Sequence, residues 1–385
     1  MAEHPLSLSP ADWEVRARSR RLPAWRGRQI YAALHAQRIE TWEQAAHLPA
    51  GLRRELSGEW PVIAPEVEHA YASTDGTVRY LLRLADGAEI EAVYLPLEEF
   101  EAGGRRRARR HTFCISSQAG CAVGCRFCLT AQLGLERNLA AGEIVAQVYL
   151  LLRRHGLHPG AGGDRLNLVY MGMGEPLLNY AAVMASAGRL TEAGGLELPP
   201  RRMTLSTAGI VDKIRQLGGE SPRPRLAISL HASTDELRER LVPLHRGQGG
   251  LEALLRAARE YPLAPRERLT FEYVLLGGVN DSLQDARRLA RLLAGMRAKV
   301  NLIPWNAGPG LAFEAPPPER VREFQAQLNA GGLPAWIRHP RGQDIYAACG
   351  QLARAAAPGG IAASGDRPLP AAATAIPAQP LRDTL

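Results

Sequence analysis

Hydrophobic and polar positions change rhythm several times along the 385-residue chain. Short β-rich runs at 112–116, 166–170, 203–206, 225–230, 269–275 and 299–303 alternate with stretches of helical period. In 141–154, Ile144, Val145, Val148, Leu151 and Leu152 recur at the spacing that gathers side chains on one helix face. Segments at about 179–193, 250–260 and 281–297 read the same way. Six strand–helix units predict an α/β fold whose parallel sheet is covered by helices and is either open or partly closed as a barrel.

Two further runs, 77–84 and 88–95, flank Asp86-Gly87, a dipeptide that supplies the positive φ a tight hairpin requires. Residues 1–70 combine tryptophan, arginine and short helical patterns, and read as a helical accessory domain. Residues 71–100 form a β-hairpin extension and 101–352 the barrel domain. The Gly- and Arg-rich stretch 101–111 reads as a loop. The Ala/Pro-rich 353–385, without periodicity, reads as disordered. Gly160-Ala161-Gly162-Gly163 lacks the Gly-Lys-Ser/Thr that completes a phosphate loop and reads as a linker.

Composition adds direction. A net charge of +8 favours polyanionic partners, although nearly all the cations are arginine, a bias a skewed genome would also produce. No apolar run approaches the roughly 20 residues needed to cross a bilayer. The first residues lack a secretory pattern, so the expected location is the cytoplasm. The five cysteines are an odd number, four of them within 114–128. That distribution suits a metal or reactive site better than a disulfide scaffold.

Cys121, Cys125 and Cys128 stand as C-x3-C-x2-C on the loop after the first strand of the alternating region, where β/α barrels collect their active sites. Three thiolates on one short loop can hold three irons of a 4Fe-4S cluster and leave the fourth open to a chelating substrate. A structural zinc would want four closed ligands, and no fourth ligand follows nearby. By spacing alone the triplet remains either a metal loop or a coincidence.

With Phe127 before the third cysteine, the triplet resembles the signature of the radical S-adenosylmethionine (SAM) superfamily, C-x3-C-x-aromatic-C. Around it, Cys114-Ile-Ser-Ser-Gln118, Thr130-Ala-Gln132, Arg137-Asn-Leu139 and Met171-Gly-Met-Gly-Glu-Pro-Leu-Leu-Asn179 are similar to the RNA adenine-C2 methyltransferase family. So are Thr204-Leu-Ser-Thr207, Ala227-Ile-Ser-Leu-His231, Asn301-Leu-Ile-Pro-Trp-Asn306 and the run from Arg341 to Leu352. The resemblance covers about 75–350. Leu129 stands where the family often has serine and Ala307 where proline is usual, and the first 70 residues match only loosely.

The resemblance implies a partial (β/α)6 barrel, a 4Fe-4S cluster on Cys121, Cys125 and Cys128, and two SAM molecules per turnover. It implies that Cys349 takes a methyl group from one SAM, and that a 5'-deoxyadenosyl radical from the second abstracts hydrogen from that methyl. The carbon radical then adds to adenine, and Cys114 releases the product through a transient Cys114–Cys349 disulfide. Taken alone, Cys349 reads as an inert buried thiol.

Glu91, which strand alternation would leave solvated, becomes the candidate base. Gly174, Glu175, Ser206, Ser229, Leu230, His231 and Asn306 become SAM contacts at strand ends. Singly, such serines are usually turn residues, and His231 a satisfied structural histidine.

Implied partners are 23S rRNA, tRNA and an external electron donor of the flavodoxin or ferredoxin type. No membrane is expected, and the default state is a monomer. The run Arg105, Arg106, Arg107, Arg109 and Arg110 could equally grip RNA phosphates or be a solvated loop. Two rival readings stay open: the same chemistry at adenine C8, and a zinc-stabilised RNA-binding protein without catalysis.

Overall fold

The computed structural model describes residues 3–100, 106–160, 163–354 and 361–363. The N-terminal helices are α1 (Pro10–Ser19), α2 (Ala24–His35) and α3 (Ala50–Glu59). Ser9 and Asp12 cap α1 reciprocally: the Asp12 amide donates to Ser9 Oγ at 3.0 Å and the Ser9 amide to Asp12 Oδ2 at 2.8 Å. Trp13, fully buried, meets Trp42 and Trp60 edge-on.

Three antiparallel strands follow, β1 (Glu66–Ala72), β2 (Val78–Arg83) and β3 (Glu89–Phe100), and then β4 (Arg106–Cys114). A small hairpin of β5 (Gln118–Gly120) and β6 (Leu135–Asn138) comes before α4 (Ala141–Arg154). Then come β7 (Arg165–Tyr170), α5 (Tyr180–Thr191), β8 (Met203–Thr207), α6 (Val211–Gly218), β9 (Arg225–Ser229) and α7 (Asp235–Leu241). The last elements are α8 (Gly250–Glu260), β10 (Leu269–Leu275), α9 (Leu283–Leu292), β11 (Ala298–Pro304), α10 (Pro318–Ala330), β12 (Ala335–Ile337) and β13 (Ile361–Ala363).

One sheet carries eleven of these strands in the order β12-β11-β10-β9-β8-β7-β4-β3-β2-β1-β13. From β4 to β12 every neighbour is parallel, with helices in the connections, as the alternating pattern predicted. From β4 outward to β13 the pairs are antiparallel. The Asp86-Gly87 hairpin therefore extends the parallel sheet instead of standing apart from it.

The N-terminal helices share the main core with the sheet's helices. His35 Nδ1 lies 2.8 Å from Tyr149 Oη of α4, and Tyr31 Oη donates to the Arg189 carbonyl of α5. Burial keeps His35 neutral, lowering it to about 3.

The structure departs from the expectations in several places. The predicted loop at 101–111 is in part strand, because residues from Arg106 pair with β3 through Phe100↔Arg106 and Leu97↔Arg110. Arg105 lies outside the described residues, as does most of the expected disordered tail. Ile361–Ala363, however, form a strand on the edge of β1. Period-2 alternation missed β1, and the short β5, β6 and β12 offered too few residues to show a pattern.

Candidate active site

The cysteine loop does not hang directly from β4. It is the crown of the β5–β6 hairpin, so both ends of the loop are clamped. The Cys121 amide donates to the Gly134 carbonyl at 2.8 Å, and Gly120 approaches that carbonyl so closely that a Cβ would lie 1.9 Å from it. Gly124 turns the loop with φ +74. Its far side is tied to distant segments: Arg126 N to the Leu241 carbonyl, Leu129 N to the Gly350 carbonyl, and Trp305 Nε1 to the Phe127 carbonyl. At the hairpin's base Arg137 bridges Asp86 and Glu143.

Cys121, Cys125 and Cys128 line one cavity together with Gly174, Glu175, Ser206, Ser229, His231, Asn306 and Cys349. The structure thus brings ten of the thirteen expected site residues to one pocket at the carboxyl ends of the parallel strands, where ligands of such sheets bind. Burial pushes all three loop thiols up, Cys121 to about 12, and for Cys125 the thiolates of Cys128 and Cys121 push in the same direction.

Three thiols that resist ionising together are suited to a positively charged iron cluster, which would relieve their mutual repulsion. Among the described residues no group of three or more His, Cys, Asp or Glu is arranged to grip a single metal ion. The sulfurs of a four-iron cluster stand wider apart than the ligands of one ion, and the loop lacks the closed four-ligand set of structural zinc. The donor set fits the cluster.

Beside the loop, Gly174 has φ +103 and sits against Gln118, whose Cβ is 2.6 Å from where a Gly174 Cβ would lie. Glu175 is 3% exposed and is raised to about 7 by burial, against backbone donation from Ala208 and Leu177. Those amides reach its two oxygens at 2.6 and 3.0 Å. A buried carboxylate so held has room in its charge balance for an ammonium group. Ser206 Oγ and Ser229 Oγ lie 3.1 Å apart on adjacent strand ends. His231 has φ +59, and its Nδ1 accepts from the Val274 amide at 3.1 Å. Its other ring nitrogen must therefore carry the proton. Burial holds the ring neutral, with a value near 3. Asn306 Oδ1 accepts from Gln343 Nε2 at 2.7 Å.

Three expected residues lie elsewhere. Leu230 is fully buried in the main core and contributes its amide to the Glu272 carbonyl. Cys114 ends β4 outside the cavity lining. Burial raises it, and the charge of Cys349 adds to the effect, so the two thiols lie within electrostatic reach of each other. Glu91 is not solvated as alternation suggested. It is 0% exposed and ion-paired with Arg79, itself 0% exposed. Burial raises Glu91, while Arg79 and the amides of Arg354 and Ala353 oppose the rise. Its Oε2 makes no hydrogen bond of good geometry among the described residues.

Reading the sequence also missed Arg238 in α7. This fully buried guanidinium donates to the carbonyls of Ser229, Leu230 and Ala208, tying together the ends of β8 and β9. Desolvation lowers it to about 10. Its Nε points to His245 Nδ1, whose Nε2 lies 2.6 Å from Asp235 Oδ1. The signal was an arginine in a charged helix, which reads as surface until the fold buries it.

A three-cysteine loop over the strand ends of a parallel partial barrel, with a pocket for a chelating ligand beside it, defines the radical-SAM class. The family model described as the Radical SAM superfamily matches residues 115–291. A radical SAM methyltransferase from Sphaerobacter thermophilus superposes with a TM-score of 0.82 at 42% identity, covering 91% of this chain and 99% of that one. A protein of Koribacter versatilis named probable dual-specificity RNA methyltransferase RlmN is 50% identical over 86% of this chain and 96% of its own length. Dual-specificity RNA methyltransferase RlmN of Anaeromyxobacter sp. is 46% identical over 92% of this chain and 90% of its own. The chain belongs to the RlmN family of dual-specificity radical-SAM methyltransferases.

Proposed function

We propose that this enzyme methylates C2 of a specific adenine in 23S rRNA and in tRNA, using Cys349 as methyl carrier. The observation that carries the reading is the placement of Cys349 in the same cavity as the three loop cysteines and Glu175. An unactivated aromatic C–H cannot displace a SAM methyl directly, so a second methyl-bearing sulfur beside the radical source is the chemical requirement.

Cys121, Cys125 and Cys128 would hold a 4Fe-4S cluster, which would supply the single electron needed for reductive cleavage of SAM. Gly174 gives SAM's amino-acid end room to approach the loop, and Glu175 accepts from its ammonium. Ser206, Ser229, the His231 segment and Asn306 hold its carboxylate, ribose or adenine, with Leu230 contributing backbone only.

Cys349, as thiolate, first takes a methyl group from one SAM. Cys349 then holds that methyl beside the cluster site, where reductive cleavage of a second SAM would let a hydrogen atom be removed from it. Once the carbon has joined adenine, the adduct radical would give back one electron to the site that supplied it, and Glu91 accepts the C2 proton. Cys114, as thiolate, then attacks the sulfur of Cys349; the C–S bond breaks towards adenine, the released methylene carbon takes up a proton to become the methyl group, and the two sulfurs end as a disulfide that an outside reductant must open. Neither thiol is acidified by its surroundings, so both need an ionising partner or a charge change in the loaded site.

The test is anaerobic turnover of the reconstituted protein with labelled SAM and with adenine deuterated at C2, followed by nucleoside analysis of rRNA and tRNA. Loss of deuterium with 2-methyladenosine in both RNA classes is expected. Retained deuterium would move the methyl to C8. A colourless protein forming no 5'-deoxyadenosine would leave only an RNA-binding role.

A further inference from the structure

The cavity lining shows which strand positions face inward: Ser229 on β9, Glu272 and Val274 on β10, and Ile303 on β11. Side chains alternate along a strand, so residues of the same parity continue that concave face toward the amino ends. They are Arg225 below Ser229, Arg268 below Glu272, and Lys299 below Ile303. Trp336 joins them because β12 pairs in parallel with β11 through Asn301↔Trp336. Trp336 is 47% exposed, with Lys299 Nζ 5.7 Å from the centre of its ring. Arg225, Arg268 and Arg338 are exposed as well.

These charges are mutual neighbours. Lys299 is lowered by burial and, against the pull of Glu272, by Arg338, Arg225 and Arg268. Among the described residues none of the three arginines makes an ion pair. On the outer side Arg215, Arg246, Arg288, Arg320 and Arg322 each lie against a carboxylate, whereas Arg256, Arg259, Arg287 and Arg291 make no ion pair among the described residues. What distinguishes the concave-face cations is that strand register sets them side by side, Thr270 pairing with both Ala227 and Lys299, next to an exposed tryptophan. Cys349 lines the same cavity as Glu272, and the next residue, Gly350, is tied to the cysteine loop by its carbonyl, which accepts from the Leu129 amide.

We infer that single-stranded RNA lies along this concave face, its phosphates against Arg225, Arg268, Lys299 and Arg338 and one unstacked base on Trp336. The target adenine then reaches Cys349 from the amino-end side of the strands, opposite the cysteine loop. A row of cations beside an exposed aromatic is the combination that tracks a single strand and stacks its bases. This inference rests on the RNA reading above and names the surface that reading leaves open.

The experiment is a fluorescence-anisotropy salt series with a fluorescein-labelled RNA hairpin bearing an unpaired adenine loop. It compares the full-length protein, the triple variant R225Q/R268Q/K299Q, W336A, and a control triple R256Q/R287Q/R291Q with the same charge change on α8 and α9. SAM binding by each variant reports that the fold is intact. The concave triple is expected to lose at least about 10-fold in affinity, with a salt slope shallower by about 2, at roughly 0.7 per lost single-strand phosphate contact. W336A is expected to lose about 10-fold with an unchanged slope, since stacking releases no counterions. The control triple is expected to stay within about 2-fold.

Equal losses in the concave and control triples would overturn the surface while leaving RNA binding in place. So would binding of poly-glutamate as tight as RNA and equally sensitive to the concave triple, which would mark a site for acidic protein. A wild-type protein that binds no RNA would overturn the RNA reading itself.

Discussion

Arg79 and Glu91 form an ion pair in which neither side chain has any exposed surface. They sit diagonally across β2 and β3, with Arg79 also stacked on Tyr71 at 4.5 Å. Glu91→Gln removes the carboxylate charge that faces the buried Arg79 guanidinium, and breaking a buried pair costs about 3–5 kcal/mol. A thermal or urea melt of E91Q should show that loss, and R79M/E91L should recover most of it. If E91Q melts like the wild type, the pair contributes no stability.

Product release gives a separate prediction. If Cys114 resolves the Cys349 adduct, Cys114→Ala stops after RNA has become attached. A denaturing gel after turnover should then show an RNA-linked protein band that wild type lacks and that C114A/C349A abolishes. Absence of the band in C114A would remove Cys114 from the reaction.

Gly174→Ala places a Cβ 2.6 Å from the Cβ of Gln118 at φ +103, a conformation that costs L residues energy even where space exists. The β5 strand beneath the cysteine loop must shift to admit it. Titration calorimetry should show SAM affinity at least about 10-fold weaker, with melting temperature changed by only a few degrees. Unchanged SAM binding would place the SAM amino-acid end away from Gly174.

Arg238→Met removes the donor that three strand-end carbonyls share. Each carbonyl left unmatched in the interior costs about 1–3 kcal/mol. Hydrogen exchange should accelerate at 206–209 and 229–231, and SAM binding should weaken in parallel. Exchange spread evenly over the chain would mean that Arg238 does not organise these ends in particular.

Acid stability should depend on His35, which is buried beside Tyr149. Its value falls from 6.5 to about 3 on folding. The unfolded chain therefore binds the extra proton between those two pH values. The stability this provides is complete above pH 6.5 and is lost as pH falls toward 3, up to about 5 kcal/mol at about 1.4 per pH unit. His35→Gln should be less stable than wild type at pH 7.5, and the gap should narrow or reverse by pH 4. A gap that stays constant across the range would show that His35 does not titrate on unfolding.

Six strands of the parallel region, four of its helices including the one at 141–154, and the three-cysteine loop were legible in the sequence, while α6, α7, α10 and the short strands were not. Each is written by residues close in the chain: a repeat of two, a repeat near 3.6, or three thiols within eight positions. The tertiary structure decided everything that depends on what covers a face. Alternation along β3 marks Glu91 as the residue pointing away from Ile90 and Ala92, but not that Arg79 and the 353–354 segment close over it. The charged pattern of α7 gives no sign that Arg238 turns inward to three carbonyls. Nor do the isolated positions 225, 268, 299, 336 and 338 form a row until parallel register stacks four strands side by side. Local periodicity reports how a segment folds. Burial and long-range pairing are set by its neighbours, and those neighbours come from distant parts of the chain.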